Sequence, residues 1–338
     1  MKKSKTVIIL SLIALVFILS GCSAKEYSRQ FFAMDTDMYI TAYGDNTKAG
    51  VDKAVERIKE IESLISSTID TSDVSKINKN QGLFTPVSND TMYILQQANI
   101  FSEKTGGALD ITIAPITNLW NINGTNPKVP ADAEIKKNLA LVNYKNAEIY
   151  RGDARINIQG GAIDLGALGK GYASDEVVKV LKDSGVKSAL VNLGGNVAVM
   201  GKNSDKAWNV AIRNPDKTPN DYLGYLPLTD KFAITSGDYE RYFVENGKRY
   251  FHIFDPKTGY PAESGLRSVT VISDNGTQGD ALSTALFVMG LDKALEYYNN
   301  NKDFEAVFVT SDKQIICTDG IKSSFVFTAK NEGYKFKK

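Results

Sequence analysis

Tyr242-Phe243-Val244-Glu245-Asn246-Gly247-Lys248-Arg249-Tyr250-Phe251 reads as two short strands folded back on each other. Aromatic and β-branched side chains in the arms suit a pleated, half-buried surface. Asn246-Gly247 supplies the two positive-φ positions of a type I′ turn, the tight connection of an antiparallel hairpin. Outward from this hairpin, Trp208 to Arg213, Phe232 to Thr235, Ser268 to Ser273 and Phe304 to Thr310 read as further strands, as does Met38 to Ala42.

Helices are interspersed. Val51, Ala54, Val55, Ile58, Ile61, Leu64 and Ile65 recur at helical spacing and predict one amphipathic helix. A second begins after Ser88 as N-cap and stops at Gly106-Gly107, and a third runs from about Tyr172 to Ser184 and stops at Gly185. Ala281 to Met289 and Lys293 to Tyr298 give two more around Gly290, and residues 118–130 (NLWNINGTNPKVP) form a loop. Hairpins and helices mix without a regular strand-helix-strand rhythm. The expectation is therefore an α+β fold of mixed helices and antiparallel strands, in a single domain over residues 31–338.

The N-terminus reads differently. Lys2, Lys3 and Lys5 precede an apolar run from Val7 to Leu19, and Leu19-Ser20-Gly21-Cys22 follows. A basic start, a short apolar core and small residues before a cleavage site describe a secretory signal over residues 1–21. The run is too short for a comfortable membrane span. Cys22 after Ser-Gly resembles a bacterial lipobox, which implies a lipidated Cys22, a tether over residues 22–30 and a place on the outer face of the cell membrane. The chain carries 40 basic and 39 acidic side chains; residues 1–21 hold three lysines and no acid, so the mature chain has 37 against 39, a net −2. That balance offers no electrostatic case for nucleic acid. With Cys22 lipidated, Cys317 has no disulfide partner, and its setting in Gln314-Ile315-Ile316-Cys317 reads as a buried strand position.

Three segments bear chemistry. Gly160 to Tyr172 (GGAIDLGALGKGY) leads into a helix, and a glycine loop at a helix N-terminus is a ready phosphate site or a plain turn-rich loop. It is not a P-loop, because Asp164 stands where a glycine is needed and Gly171 where a Ser or Thr is needed. In Gln278 to Gly290, a helix places Asp280 one turn from Ser283 and Thr284. One carboxylate with neutral hydroxyls is an oxygen-only set suited to Mg²⁺; ordinary helix surface is the alternative. In Phe251 to Pro261 stands His252, the single histidine of the chain, which serves as a base, a phosphate contact or a structural group. One histidine and no cysteine cluster exclude a zinc hydrolase site.

Ala33-Met34-Asp35-Thr36, Gly107 to Thr112, Asp164 to Tyr172, Asn192 to Asn196, His252 to Gly259 and Asp280 to Thr284 occur in this order. The ordered set resembles the FAD:protein FMN transferase family, the ApbE-type flavin-transferring lipoproteins. The resemblance implies Mg²⁺ held by Asp280, Thr284, Ser283 and the Ala167 carbonyl. It implies an FAD site lined by Met34, Ala108, Leu109, Asp110, Asp164, Lys170, His252 and Ile253, with His252 and Asp280 catalytic. The implied reaction moves FMN from FAD to a Thr or Ser hydroxyl of an exported acceptor protein, such as a redox subunit, and releases AMP. FAD hydrolysis to FMN and AMP, or flavin capture without turnover, would use the same pocket. Two departures stand out. Asp35 replaces a glycine usual in the early segment, and Ser67-Thr68-Ile69-Asp70 lacks an aromatic that some members carry.

Overall fold

The structure, a computed structural model, describes residues 25–216, 221–330 and 332–337; the expected signal sequence and Cys22 lie outside them. In chain order the elements are β1 (Glu26–Ala33), β2 (Thr36–Tyr43), α1 (Thr47–Ile65), α2 (Asp73–Lys79), β3 (Thr85–Pro86), α3 (Asn89–Lys104), α4 (Ala114–Trp120) and α5 (Asp132–Leu139). There follow β4 (Ala147–Tyr150), β5 (Asp153–Ile156), α6 (Gly166–Asp183), β6 (Ser188–Leu193), β7 (Asn196–Met200), β8 (Trp208–Arg213), β9 (Tyr222–Leu228) and β10 (Lys231–Gly237). The hairpin β11 (Tyr242–Glu245) and β12 (Lys248–Phe251) precedes β13 (Leu266–Ser273), α7 (Gly276–Met289) and α8 (Leu291–Asn301). The chain closes with β14 (Glu305–Thr310), β15 (Gln314–Cys317), α9 (Asp319–Lys322), β16 (Val326–Phe327) and β17 (Lys335–Lys337).

The architecture is α+β. A nine-stranded sheet in the order β1-β2-β6-β7-β10-β13-β14-β15-β17 is antiparallel except where β17 joins β15. Period-two alternation sorts its side chains between two cores. On one face Phe232, Ile234, Val269 and Val271 meet the apolar stripes of α1, α3, α6 and α7. On the other, Ala233, Ile272, Val307 and Val309 meet Trp208, Val210, Leu223 and Leu226 from β8 and β9. A third cluster forms around Trp120 and holds the β11–β12 hairpin through Phe243 and Tyr250. The hairpin turn is as expected, with φ of 51° at Asn246 and 75° at Gly247.

Three expectations change. The tether gives way at Glu26 to β1, paired with β2 along its whole length. Its polar composition conceals the strand because one face is solvated, while Tyr27, Phe31 and Ala33 alternate inward. Residues 118–120 belong to α4 rather than to the loop that follows. The third helix starts at Gly166, six residues before Tyr172, so half of the glycine-rich run is helical. The reason is packing. A Cβ on Gly169 would lie 2.7 Å from the Ile65 side chain, and one on Gly171 would lie 2.3 Å from the Gly276 carbonyl oxygen. These glycines let α6 press against α1 and α7, closer than any side chain allows. No helix among the described residues is long and apolar enough to cross a membrane.

Candidate active site between helices α6 and α7

The close approach at Gly171 sets the site. Its backbone N–H donates to Asp280 Oδ2 at 2.7 Å, across 109 residues of chain. In an α-helix that N–H points toward the carbonyl four residues earlier, which is Ala167. Asp280 thus meets α6 one turn beyond Ala167, whose carbonyl is the proposed backbone donor.

Asp280 is the fifth residue of α7 and is 4% exposed. Burial pushes its carboxyl above the ordinary carboxylate range; the Lys170 ammonium, the Gly171 N–H and the Asn196 side chain oppose that shift. Asn196, at the start of β7, is itself buried, and its amide nitrogen completes no hydrogen bond among the described residues. A carboxylate denied water and only partly compensated favours a cation.

The two hydroxyls expected beside it are present. Ser283 Oγ donates to the Asp280 carbonyl at 3.0 Å, and Ser236 Oγ on β10 lies 2.9 Å from Ser283 Oγ and 3.2 Å from Thr284 Oγ1. Ser283 is fully buried, whereas Thr284 keeps some exposure. Ser236 is a member of the group that no sequence motif marks, because β10 reaches α7 only through the sheet. No cluster of three or more His, Cys, Asp or Glu suited to a metal occurs among the described residues. The oxygen set here has one carboxylate, hydroxyls and a backbone carbonyl, a donor chemistry that fits Mg²⁺ completed by water and phosphate oxygens.

His252 follows β12 directly. Its N–H donates to the Arg241 carbonyl at 3.2 Å, and its Nδ1 is shut off from solvent without a partner among the described residues. Part of the residue remains accessible. Burial, then the charges of Lys170 and Arg241, bring its pKa down to about 4. The imidazole is thus neutral at pH 7 and able to accept a proton. The Lys170 charge lowers the pKa of both His252 and Asp280.

The remaining candidates shape the walls. Asp164 accepts the Gly166 N–H at 2.7 Å, and its own N–H donates to the Ile111 carbonyl at 2.8 Å, tying the Asp110 loop to the head of α6. Asp110 is spent on structure: its carboxylate accepts from Thr112 N–H (2.8 Å), Thr112 Oγ1 (2.6 Å) and Tyr144 N–H (2.8 Å). Burial still pushes its carboxyl upward. Ala108, Leu109 and Ile253 belong to the main core, and Met34 and Ala167 pack against it. Met34 and Asp35 form the β1–β2 turn with φ of 47° and 59°. Asp is among the residues that tolerate this left-handed region, so the glycine-to-aspartate departure leaves the turn intact.

These features define an α+β protein with a buried oxygen-donor site where two helices meet. The chain belongs to the ApbE family, which it matches over residues 34–308. Among curated relatives, an FAD:protein FMN transferase of Klebsiella pneumoniae (strain 342) is 33% identical over 295 residues, covering 86% of this chain and 92% of the relative. One from Treponema pallidum (strain Nichols) is 31% identical over 318 residues, 88% of each chain. Among solved structures, the ApbE protein of Thermotoga maritima superposes with a TM-score of 0.83 at 32% identity, covering 89% of this chain and 99% of that one. The flavin transferase ApbE of Vibrio cholerae gives 0.81 at 25% identity.

Proposed function

We propose that this protein is an enzyme, a flavin transferase that moves the FMN half of FAD onto a Thr or Ser hydroxyl of an exported acceptor protein and releases AMP. The observation that carries the reading is the under-satisfied Asp280, buried against the Gly171 N–H with Thr284 and Ser236 beside it. Its setting in an ApbE-family chain, whose relatives are named FAD:protein FMN transferases, supplies the reaction class.

The acceptor oxygen would bond to the phosphorus on the flavin side as the bond from that phosphorus to the AMP phosphate breaks. The hydroxyl proton must leave, and His252, held neutral by burial, is the group we propose to take it. Lys170, whose charge acts on both His252 and Asp280, would offer a cation to anionic phosphate. Asp280, Thr284, Ser283 and the Ala167 carbonyl are the groups that would hold Mg²⁺. Bound there, the ion would offset charge on the pyrophosphate and on the departing AMP. The core around Ala108, Leu109 and Ile253, with Met34 against it, would exclude water from the flavin side.

Incubation with FAD, Mg²⁺ and candidate acceptor domains tests this by mass spectrometry. The acceptor should gain the mass of the FMN phosphoester, with AMP released in equal amount. Free FMN and AMP formed without acceptor would instead support FAD hydrolysis; neither product would retire both. The signal-like start and Cys22 support attachment to the outer face of the cell membrane by lipid. Cys22→Ala should release the protein from the membrane fraction.

A further inference from the structure

We infer that Arg241 is a positioning residue, a clamp that ties the Met34-Asp35 turn on the flavin side to His252 on the acceptor side, with Asp35 as its dedicated partner. This rests on the flavin-transfer reading for its catalytic meaning, but the clamp itself is a matter of geometry.

Arg241 Nη2 donates to the Asp35 carbonyl at 2.8 Å and lies 3.1 Å from Asp35 Oδ2. The Arg241 carbonyl, in turn, accepts the His252 N–H. One residue thus bonds the β1–β2 turn with its side chain and the His252 backbone with its main chain. The turn is held from its other side by Glu62 of α1, whose Oε1 accepts the Met34 N–H at 2.7 Å. These contacts bridge units that share no strand pairing, because β1 and β2 are the edge of the large sheet while β11 and β12 stand apart.

The loop bearing Arg241 is itself pinned residue by residue. Asp238 accepts from Arg267 Nε at 2.7 Å, and its N–H donates to the Arg267 carbonyl at 3.1 Å. The Tyr239 ring sits 4.8 Å from the Arg213 guanidinium carbon, and Glu240 accepts from Arg213 at 3.0 Å. A loop tied down at three successive positions delivers the fourth as a fixed arm. A glycine in place of Asp35 would keep the turn but offer no carboxylate, so the departure at this position and the arginine form one device.

The test uses the Met34 amide, bonded to Glu62 within the clamped turn, the His252 amide, bonded to the Arg241 carbonyl, and a double-mutant cycle. In the flavin-free protein, Arg241→Met should speed hydrogen exchange at both amides about tenfold, while Asp35→Asn should do so at Met34 alone. Asp35→Asn added to Arg241→Met should change nothing further. Unchanged exchange in Arg241→Met, or effects that multiply in the double variant, would overturn the clamp. In turnover, Arg241→Met should raise KM for FAD and lower kcat, Asp35→Asn should raise KM only, and Arg241→Lys should recover part of both losses. Exchange is read without flavin, so an inactive wild type would sink the transferase reading while the clamp would still stand or fall on its own data.

Discussion

Two aspartates, Asp280 buried and Asp175 half-buried, lie at the α6–α7 interface and do opposite work. Asp175 on α6 reaches the head of α7 and is saturated there. It accepts from Gly276 N–H at 2.6 Å, Thr277 N–H at 2.8 Å and Thr277 Oγ1 at 2.7 Å. Asp280 on α7 reaches back to α6, takes the Gly171 N–H and has the Asn196 side chain as its one further polar support. Burial raises the proton affinity of both, and the Asp175 charge adds to the shift of Asp280. The pair teaches that burial alone does not mark a functional carboxylate. The distinguishing feature is hydrogen-bonding capacity: Asp175 spends its own on the head of a helix, and Asp280 keeps some for the cation proposed above.

The sharpest way to break this contrast is to neutralise each in turn. Asp280→Asn should cut Mg²⁺-dependent FAD turnover by roughly 100- to 1,000-fold, the scale of losing a main electrostatic group at a reaction centre. Steady-state assays across Mg²⁺ concentrations check it, and unchanged metal dependence would dissolve the distinction. Gly171→Ala is the next largest. Its methyl would meet the Gly276 carbonyl and the Asp280 Cβ at 2.6 Å, so the helices must part. A loss of about 2 kcal/mol or more in denaturant unfolding is expected, together with lost activity. Asp175→Asn should cost about 1–2 kcal/mol through the weakened cap of α7 and should leave metal dependence in place.

The smallest effect concerns pH and separates Asp280 from His252 by sign. The folded-state pKa of Asp280 lies above its unfolded value, so the folded protein holds that proton more tightly and the neutral-pH penalty fades as pH falls. For His252 the folded value of about 4 lies below the ordinary 6.5. Its contribution is fully favourable above pH 6.5 and is lost as pH falls toward 4. Metal-free Asp280→Asn should therefore be slightly more stable than the parent at pH 7, with the gain shrinking in acid. Thermal melts from pH 4 to 7 measure it.

Much of the fold is legible without coordinates. The α1 stripe from Val51 to Ile65, the Ser88 cap that accepts Thr91 N–H at 3.1 Å, and the Asn246-Gly247 turn are each written in a few adjacent residues. Asp280, Ser283 and Thr284 stand together for the same reason, one helical turn apart. The ordered segments name the family before any distance is known. Cys317 lies buried in β15 as expected, its thiol pushed up to about 12 by desolvation.

The linear chain determined the main helices and strands, the α+β class and the family, because those signals reside in spacing within a turn or a strand. Tertiary structure alone decided what the glycines are for. Those at 166–171 read in sequence as a phosphate site or a plain turn-rich loop, yet Gly169 and Gly171 serve the contact of α6 with α1 and α7. It also decided that Asp175 caps a helix 101 residues away, that Ser236 joins Ser283 and Thr284, and that Arg241 meets Asp35 across 206 residues. Such contacts depend on how layers stack and strands cross, and a side chain's partner at that separation leaves no trace in its neighbours along the chain.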